Sequence, residues 1–193
     1  MPVSATTYLN TLSHHLARLD CEAIDRGVAL IRDAWLGGRQ VITLGNGGSA
    51  LTALHFITDW SKMIPIATGK PFRGRSLLDN IGLITAYGND IAFDDIFAEQ
   101  VRNLASEGDL VLAISGSGNS ENVIRAVELA NRMGCITLGL CGFEGGRLRQ
   151  AAQHVIWADV PDMQFSEDIH AIFGHIVMKA LCGTPPAKTL AEA

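Results

Sequence analysis

The 193 residues contain no run of 18 uninterrupted apolar residues, no Cys-x-x-Cys pair, no Gly-Lys-Ser/Thr and no block of basic side chains. Each absence removes a class. Without a long apolar run, no segment reads as membrane-spanning. The opening Met1-Pro2-Val3-Ser4 has neither the charged nor the apolar part of a secretory leader, so a cytoplasmic chain is expected. Lys and Arg are scattered and the net charge is -5, which gives no reason to expect nucleic acid or a membrane surface as partner. Cys21, Cys135, Cys141 and Cys182 lack metal-knuckle spacing and read as buried free thiols rather than disulfides. The missing Gly-Lys-Ser/Thr excludes a nucleotide P-loop. Gly45-x-Gly47-x-x-Ala50 loosely fits the dinucleotide fingerprint, but no acidic residue stands near position 70 to hold a ribose.

Internal repeats and low-complexity segments are missing too, and the length suits one domain spanning 1–193. Only 18% of the residues are charged, and mean hydropathy is +0.21. That balance implies an extensive core together with apolar helix surface buried against other subunits.

What is present is a pair of glycine- and serine-rich turns, each between a strand-like and a helix-like run. Gly45-Asn46-Gly47-Gly48-Ser49 follows Val41–Leu44, and Ser115-Gly116-Ser117-Gly118-Asn119-Ser120 follows Leu110–Ile114. Glycine lets backbone N–H groups approach an anion, a helix N-terminus adds a favourable dipole, and serine hydroxyls add donors. Two such turns in one small chain point to a phosphorylated ligand, and with nucleotides set aside a sugar phosphate remains.

Residues 4–36 read as two helices, with Tyr8, Leu12, Leu16 and Leu19, then Ile24, Val28, Ile31 and Trp35, at helical spacing. Strands are expected at 41–44, 109–114, 135–141 and 154–157. Helices are expected at 49–63, opening on a Ser49 cap, and at 93–104, 120–133, 146–152 and 166–181. Residues 65–75 read as a loop, 77–87 as a strand end and helix stopped by Gly88-Asn89-Asp90, and 183–193 as a polar tail. Apolar strands alternating with helices imply a parallel sheet covered on both faces. Both turns fall at carboxyl ends of strands, where such sheets bind ligands.

His55 and Asp59, four apart on a predicted helix, share a face. Alone, that pair is more often a surface hydrogen bond than a metal site. His170 and His175 lie on the closing apolar helix, where histidines usually belong to the core, and their spacing from Glu167 does not choose between them. Ser120 reads as a helix cap as well as a phosphate ligand, and the two roles are compatible.

Gly45–Ala50 with His55-Phe56, Gly88-Asn89-Asp90, Phe93–Phe97, Ile114–Ser120 with Asn122-Val123-Ile124, Gly145-Gly146, and Asp168-Ile169-His170 with His175 together resemble the SIS (sugar isomerase) domain, and within it the phosphoheptose isomerases. The resemblance implies a flavodoxin-like three-layer αβα sandwich with a central parallel sheet and two leading helices. It implies an aldose–ketose isomerase acting on sedoheptulose 7-phosphate through an enediol(ate), with no organic cofactor. It also implies a homotetramer with sites at subunit interfaces and a divalent metal, Zn²⁺ first. Carried over by position, phosphate falls to Ser115, Gly116, Ser117 and Ser120, and the sugar to Asn46, Gly47, Gly48, Ser49, Asn89, Asp90 and Glu167. The catalytic pair falls on Asp59 and His175, and the metal ligands on His55, Asp59, Glu167 and His175. The sequence departs from the family pattern in having Asp59 for glutamate, Glu167 for glutamine, and Gly116 for a hydroxyl residue. Close relatives also include non-catalytic proteins that bind the replication initiator, and a sugar-phosphate sensor is a further alternative.

Overall fold

The computed structural model describes residues 4–183; the expected polar tail beyond Gly183 lies outside the described residues. Five strands, β1 (Val41–Gly45), β2 (Gly74–Ser76), β3 (Leu110–Ser115), β4 (Ile136–Cys141) and β5 (His154–Trp157), form one sheet in the order β2-β1-β3-β4-β5. All four pairings are parallel, with Gly45 opposite Ile114 and Ser115 opposite Cys141. This is the doubly wound order in which the chain leaves β1 in one direction and returns to its other side at β3. The carboxyl ends of β1 and β3 therefore open a crevice at the switch point.

Alternation along the strands divides the core. Val41, Leu110, Leu112, Ile114, Leu138 and Leu140 face one layer, built from α2 (Cys21–Leu36), α3 (Gly48–Thr68) and α8 (Met163–Cys182). Ile42, Leu44, Val111 and Ala113 face the other, built from α4 (Ile81–Asp90), α5 (Ala98–Leu104), α6 (Glu121–Arg132) and α7 (Leu148–Ala151). The leading helix α1 (Ala5–Leu16) has no buried residue of its own. It lies on α8 through Leu12 and Leu16 against Phe165 and Ile169, with the Tyr8 hydroxyl donating to Asp168 at 2.6 Å. No helix among the described residues is long and apolar enough to cross a membrane.

Several expectations needed correction. The third helix runs on through Pro65 to Thr68 rather than giving way to a loop. Ile64 is fully buried just before the proline, Thr68 Oγ1 returns to the Ile64 carbonyl at 2.7 Å, and left-handed Gly69 closes the end by donating to Pro65. Within the expected loop, Gly74–Ser76 becomes an edge strand with no apolar signal, held by backbone bonds to Val41 and Thr43. The expected helix 93–104 splits into a 3₁₀ turn, Phe93–Asp95, and α5. The helix before it absorbs Gly88, Asn89 and Asp90 instead of stopping there. Ser49 is not a cap: Gly47 holds that position and Ser49 is buried in the first turn. The last helix begins three residues earlier than expected, because Asp162 accepts from the Phe165 amide at 3.1 Å. Of the cysteines, Cys135 and Cys141 are buried and all four are free, but Cys21 is exposed at the start of α2. Burial pushes the Cys141 thiol up to about 12, so it stays a packing group.

Candidate active site

The two turns meet as the topology requires. Gly47 adopts φ 55, ψ -122, a conformation closed to other residues, and turns the chain from β1 into α3. Gly118 adopts φ 67 and packs so tightly on the Gly145 backbone that a β-carbon there would overlap it. The Gly145-Gly146 turn thus braces the serine turn, with Leu148 donating to the Gly118 carbonyl at 2.8 Å. Between the two turns, the side-chain amides of Asn46 and Asn122 bond reciprocally at 2.8 and 3.0 Å. Asn122 belonged to a recognised motif, but only this cross-link gives it a role.

The turns enclose a cavity of about 180 Å³ lined by Asn46, Ser49, Ser115, Gly116, Ser117, Ser120, Ile114, Met163 and Glu167. Ser115 Oγ donates to Ser120 Oγ at 3.4 Å, and Ser117 Oγ accepts from the Asn119 amide at 3.2 Å. Ser120 caps α6 by position, yet its hydroxyl makes no bond to that helix; it accepts from Ser115 and keeps its own proton to donate. Met163 had no place in the sequence reading. Its sulfur fills the space a side chain at Gly116 would take, and the residue also lines an outer cavity of about 550 Å³. Arg73 and Arg75 do not line the inner cavity; Arg73 donates to the Gly38 carbonyl. Asn89 and Asp90 are exposed at the end of α4, bonded to each other at 2.7 Å, and do not line the cavity either.

A second cluster forms where α3 crosses α8. Gly174 lies against the Phe56 ring, and Phe56 stacks on Trp60 with centroids 4.9 Å apart. Trp60, fully buried, donates to the Gly174 carbonyl at 3.0 Å. This close crossing brings the next residue, His175, to His55: their Nε2 atoms are 3.1 Å apart. Asp59 Oδ2 stands 3.5 Å from His55 Nε2 and 4.0 Å from His175 Nε2. His55 and His175 are exposed and Asp59 half-buried.

These three groups fit a divalent ion. Around Zn²⁺ bound tetrahedrally at about 2.0–2.2 Å, ligand atoms stand about 3.4 Å apart, and two imidazoles with a carboxylate are a common donor set. His55, Asp59 and His175 are the one such cluster among the described residues. Glu167 is not in it. Its carboxylate rests on Gly48 at the start of α3, inside the serine-lined cavity.

His170, the other histidine of α8, is 1% exposed, and neither ring nitrogen finds a hydrogen-bond partner. Burial holds its pKa down to about 4, opposed only weakly by the nearby Cys141 carbonyl. A ring kept neutral and sealed in the core cannot exchange protons with a ligand, whereas His175 on the same helix is exposed.

Residues 7–142 match the family model described as SIS domain. A phosphoheptose isomerase of Citrifermentans bemidjiense is 36% identical over 155 residues, 80% of each chain. One from Geobacter sulfurreducens is 38% identical over 165 residues, 81% of this chain and 86% of that one. Among solved structures, a phosphoheptose isomerase from Francisella tularensis superposes with a TM-score of 0.85 at 26% identity, covering 91% of this chain and 95% of that one. Phosphoheptose isomerase GmhA from Neisseria gonorrhoeae gives 0.83 at 25%, with the same coverage.

Proposed function

The chain belongs to the SIS domain family, among the phosphoheptose isomerases, and from that membership we propose that it interconverts sedoheptulose 7-phosphate and D-glycero-D-manno-heptose 7-phosphate. The observation that carries the reading is the pairing of a serine-lined cavity at the switch point with a carboxylate and an imidazole on the adjacent helices.

The reaction moves a proton between C1 and C2 while the carbonyl moves the other way, with no net redox change. It needs a base at carbon and an acid at oxygen. Asp59 supplies the base. Its Oδ2 faces the imidazoles, which leaves Oδ1 to take the proton from C2 or C1 and return it to the neighbour. His175 Nε2, 4.0 Å from that carboxylate, hands a proton to the carbonyl oxygen and recovers one from the hydroxyl. Ser115, Ser117 and Ser120, with the amides at the start of α6, anchor the phosphate and fix the distance to the reacting carbons. Asn46 and the backbone of Gly47 and Gly48 line the sugar.

His55, Asp59 and His175 would hold the divalent ion, Zn²⁺ first, through these same Nε2 and Oδ2 atoms, and when bound it would take the place of the His175 proton in polarising the substrate oxygens. A non-catalytic role, whether binding a replication initiator or sensing a sugar phosphate, would not require Asp59 and His175 to converge, and is not favoured.

The assembly we infer is a homotetramer with sites completed at subunit interfaces, in the cytoplasm. Leu51 and Ile66 of α3, Ile81 of α4, Ile91 just after it and Phe93 of the 3₁₀ turn are all exposed, which supports buried helix surface between copies. Asn89 and Asp90 close α4 beside this apolar surface, so a substrate role for them is proposed across such an interface.

The test is to incubate the protein, with and without added Zn²⁺, with sedoheptulose 7-phosphate and follow aldose formation by NMR. Turnover that His175→Ala abolishes supports the isomerase; binding without turnover refutes it.

A further inference from the structure

Glu167 is an unusual side chain to find in a phosphate cavity. It sits with Ser115, Ser117 and Ser120 in a space of about 180 Å³ that no lysine or arginine of the same chain lines. Its carboxylate packs on Gly48, so closely that a β-carbon at Gly48 would overlap Oε1. Gly48 opens α3, whose N-terminus has no side-chain cap. Among the described residues Glu167 has neither an ion-pair nor a hydrogen-bond partner. The cavity therefore has two unlike ends. At the β3 end, hydroxyls and the start of α6 offer donors to an anion and carry no negative charge. At the β1 end, the donor-rich helix start that would attract a second anion is covered by the protein's own negative charge.

We propose that Glu167 is a specificity-determining residue that makes the cavity accept a phosphate at one end and only an uncharged, hydroxyl-bearing group at the other. The ligand class is a monophosphorylated neutral polyol or sugar, and the excluded class is the sugar bisphosphates and phosphosugar acids. A carboxylate accepts hydrogen bonds and cannot donate them, so sugar hydroxyls satisfy it. A second carboxylate or phosphate meets like charge at close range, and that repulsion opposes its binding. The discrimination needs no cation and no movement of the chain. It rests on the sugar-phosphate reading of the cavity, but not on turnover.

The experiment uses two acyclic ligands that differ only at the end remote from phosphate: glucitol 6-phosphate, ending in CH₂OH, and 6-phosphogluconate, ending in a carboxylate. Dissociation constants are measured by calorimetry on chelator-treated protein, so that no metal tethers the acid, with inorganic phosphate as the reference anion. The wild type should prefer the polyol by about tenfold or more, one like-charge contact's worth. Glu167→Gln, and independently Glu167→Ala, should narrow that ratio about tenfold by tightening the acid. An unchanged ratio overturns the proposal. So does an equal gain for both ligands and for inorganic phosphate, which would mean that the carboxylate merely repels the phosphate seat. Failure of all three anions to bind would remove the phosphate seat and this proposal together. A persisting preference without sedoheptulose 7-phosphate turnover would refute the isomerase alone.

Discussion

Replacing Gly174 with alanine places a methyl group against the Phe56 ring, with its β-carbon 2.9 Å from Cζ and nearer still to two other ring carbons. Phe56 has little room to withdraw, because it stacks on Trp60 and meets Phe173 edge-on. Helices α3 and α8 must separate, or the ring must leave its rotamer. Overpacking of this kind typically costs about 1–3 kcal/mol, which in a domain of this size lowers Tm by about 3–10 °C. The same displacement reaches the site. His175 follows Gly174 directly, and its Nε2 now stands 3.1 Å from that of His55. A shift of about 1 Å takes one ligand out of a tetrahedral sphere, so Zn²⁺ affinity should fall about 10- to 100-fold, as it does when the support of a metal ligand is lost. The assay pairs a thermal melt with a Zn²⁺ titration against a competing chelator. Phe56→Leu in the same chain should recover much of both losses, since the two residues compete for one volume. Wild-type melting and Zn²⁺ affinity in Gly174→Ala would refute the argument that this glycine sets the α3–α8 spacing. Failure of Phe56→Leu to rescue would refute the assigned cause.

Asp59→Asn should lower kcat/KM for sedoheptulose 7-phosphate about 10²- to 10⁴-fold, the span of general base catalysis, while the half-buried position leaves the melt nearly unchanged. Ser120→Ala removes a hydroxyl that its own helix does not use, and KM should rise about tenfold by initial-rate kinetics. His170 gives a pH prediction. Its folded pKa, about 4, lies below the usual 6.5, so the native state resists the proton that the unfolded chain accepts. Stability from this group is fully present above about 6.5 and drains away as pH falls towards 4, by about 3 kcal/mol in all. Urea melts of His170→Leu should show that much less loss over the interval; an unchanged slope refutes the assignment.

Strands β1, β3, β4 and β5 were readable because each is a short apolar run, the first three buried on both faces, and the turns because glycine and serine at strand ends have few structural alternatives. Gly74–Ser76 was not readable, since an edge strand of Gly-Arg-Ser is held by backbone bonds from Val41 and Thr43 rather than by its side chains. The extension of α3 through Pro65 was hidden for a related reason: burial of Ile64 and a glycine cap outweigh the local penalty of proline.

For the site, the sequence alone determined the chemistry of its parts: glycine- and serine-rich turns at two strand ends, and His55 with Asp59 on one helical face. Those follow from local spacing, which the chain carries with it. Spacing could not choose between His175 and His170 and only the family resemblance pointed to His175; the physical difference is a matter of tertiary structure, because the two share a helix and differ only in what packs against them. The close crossing at Gly174 carries one to His55, and burial silences the other. The separation of Glu167 from the metal cluster, and the contact of Met163 with Gly116, are likewise set by how α8 lies across two turns far away in sequence. Spacing along one helix fixes which face a side chain shares; only packing fixes what that face meets.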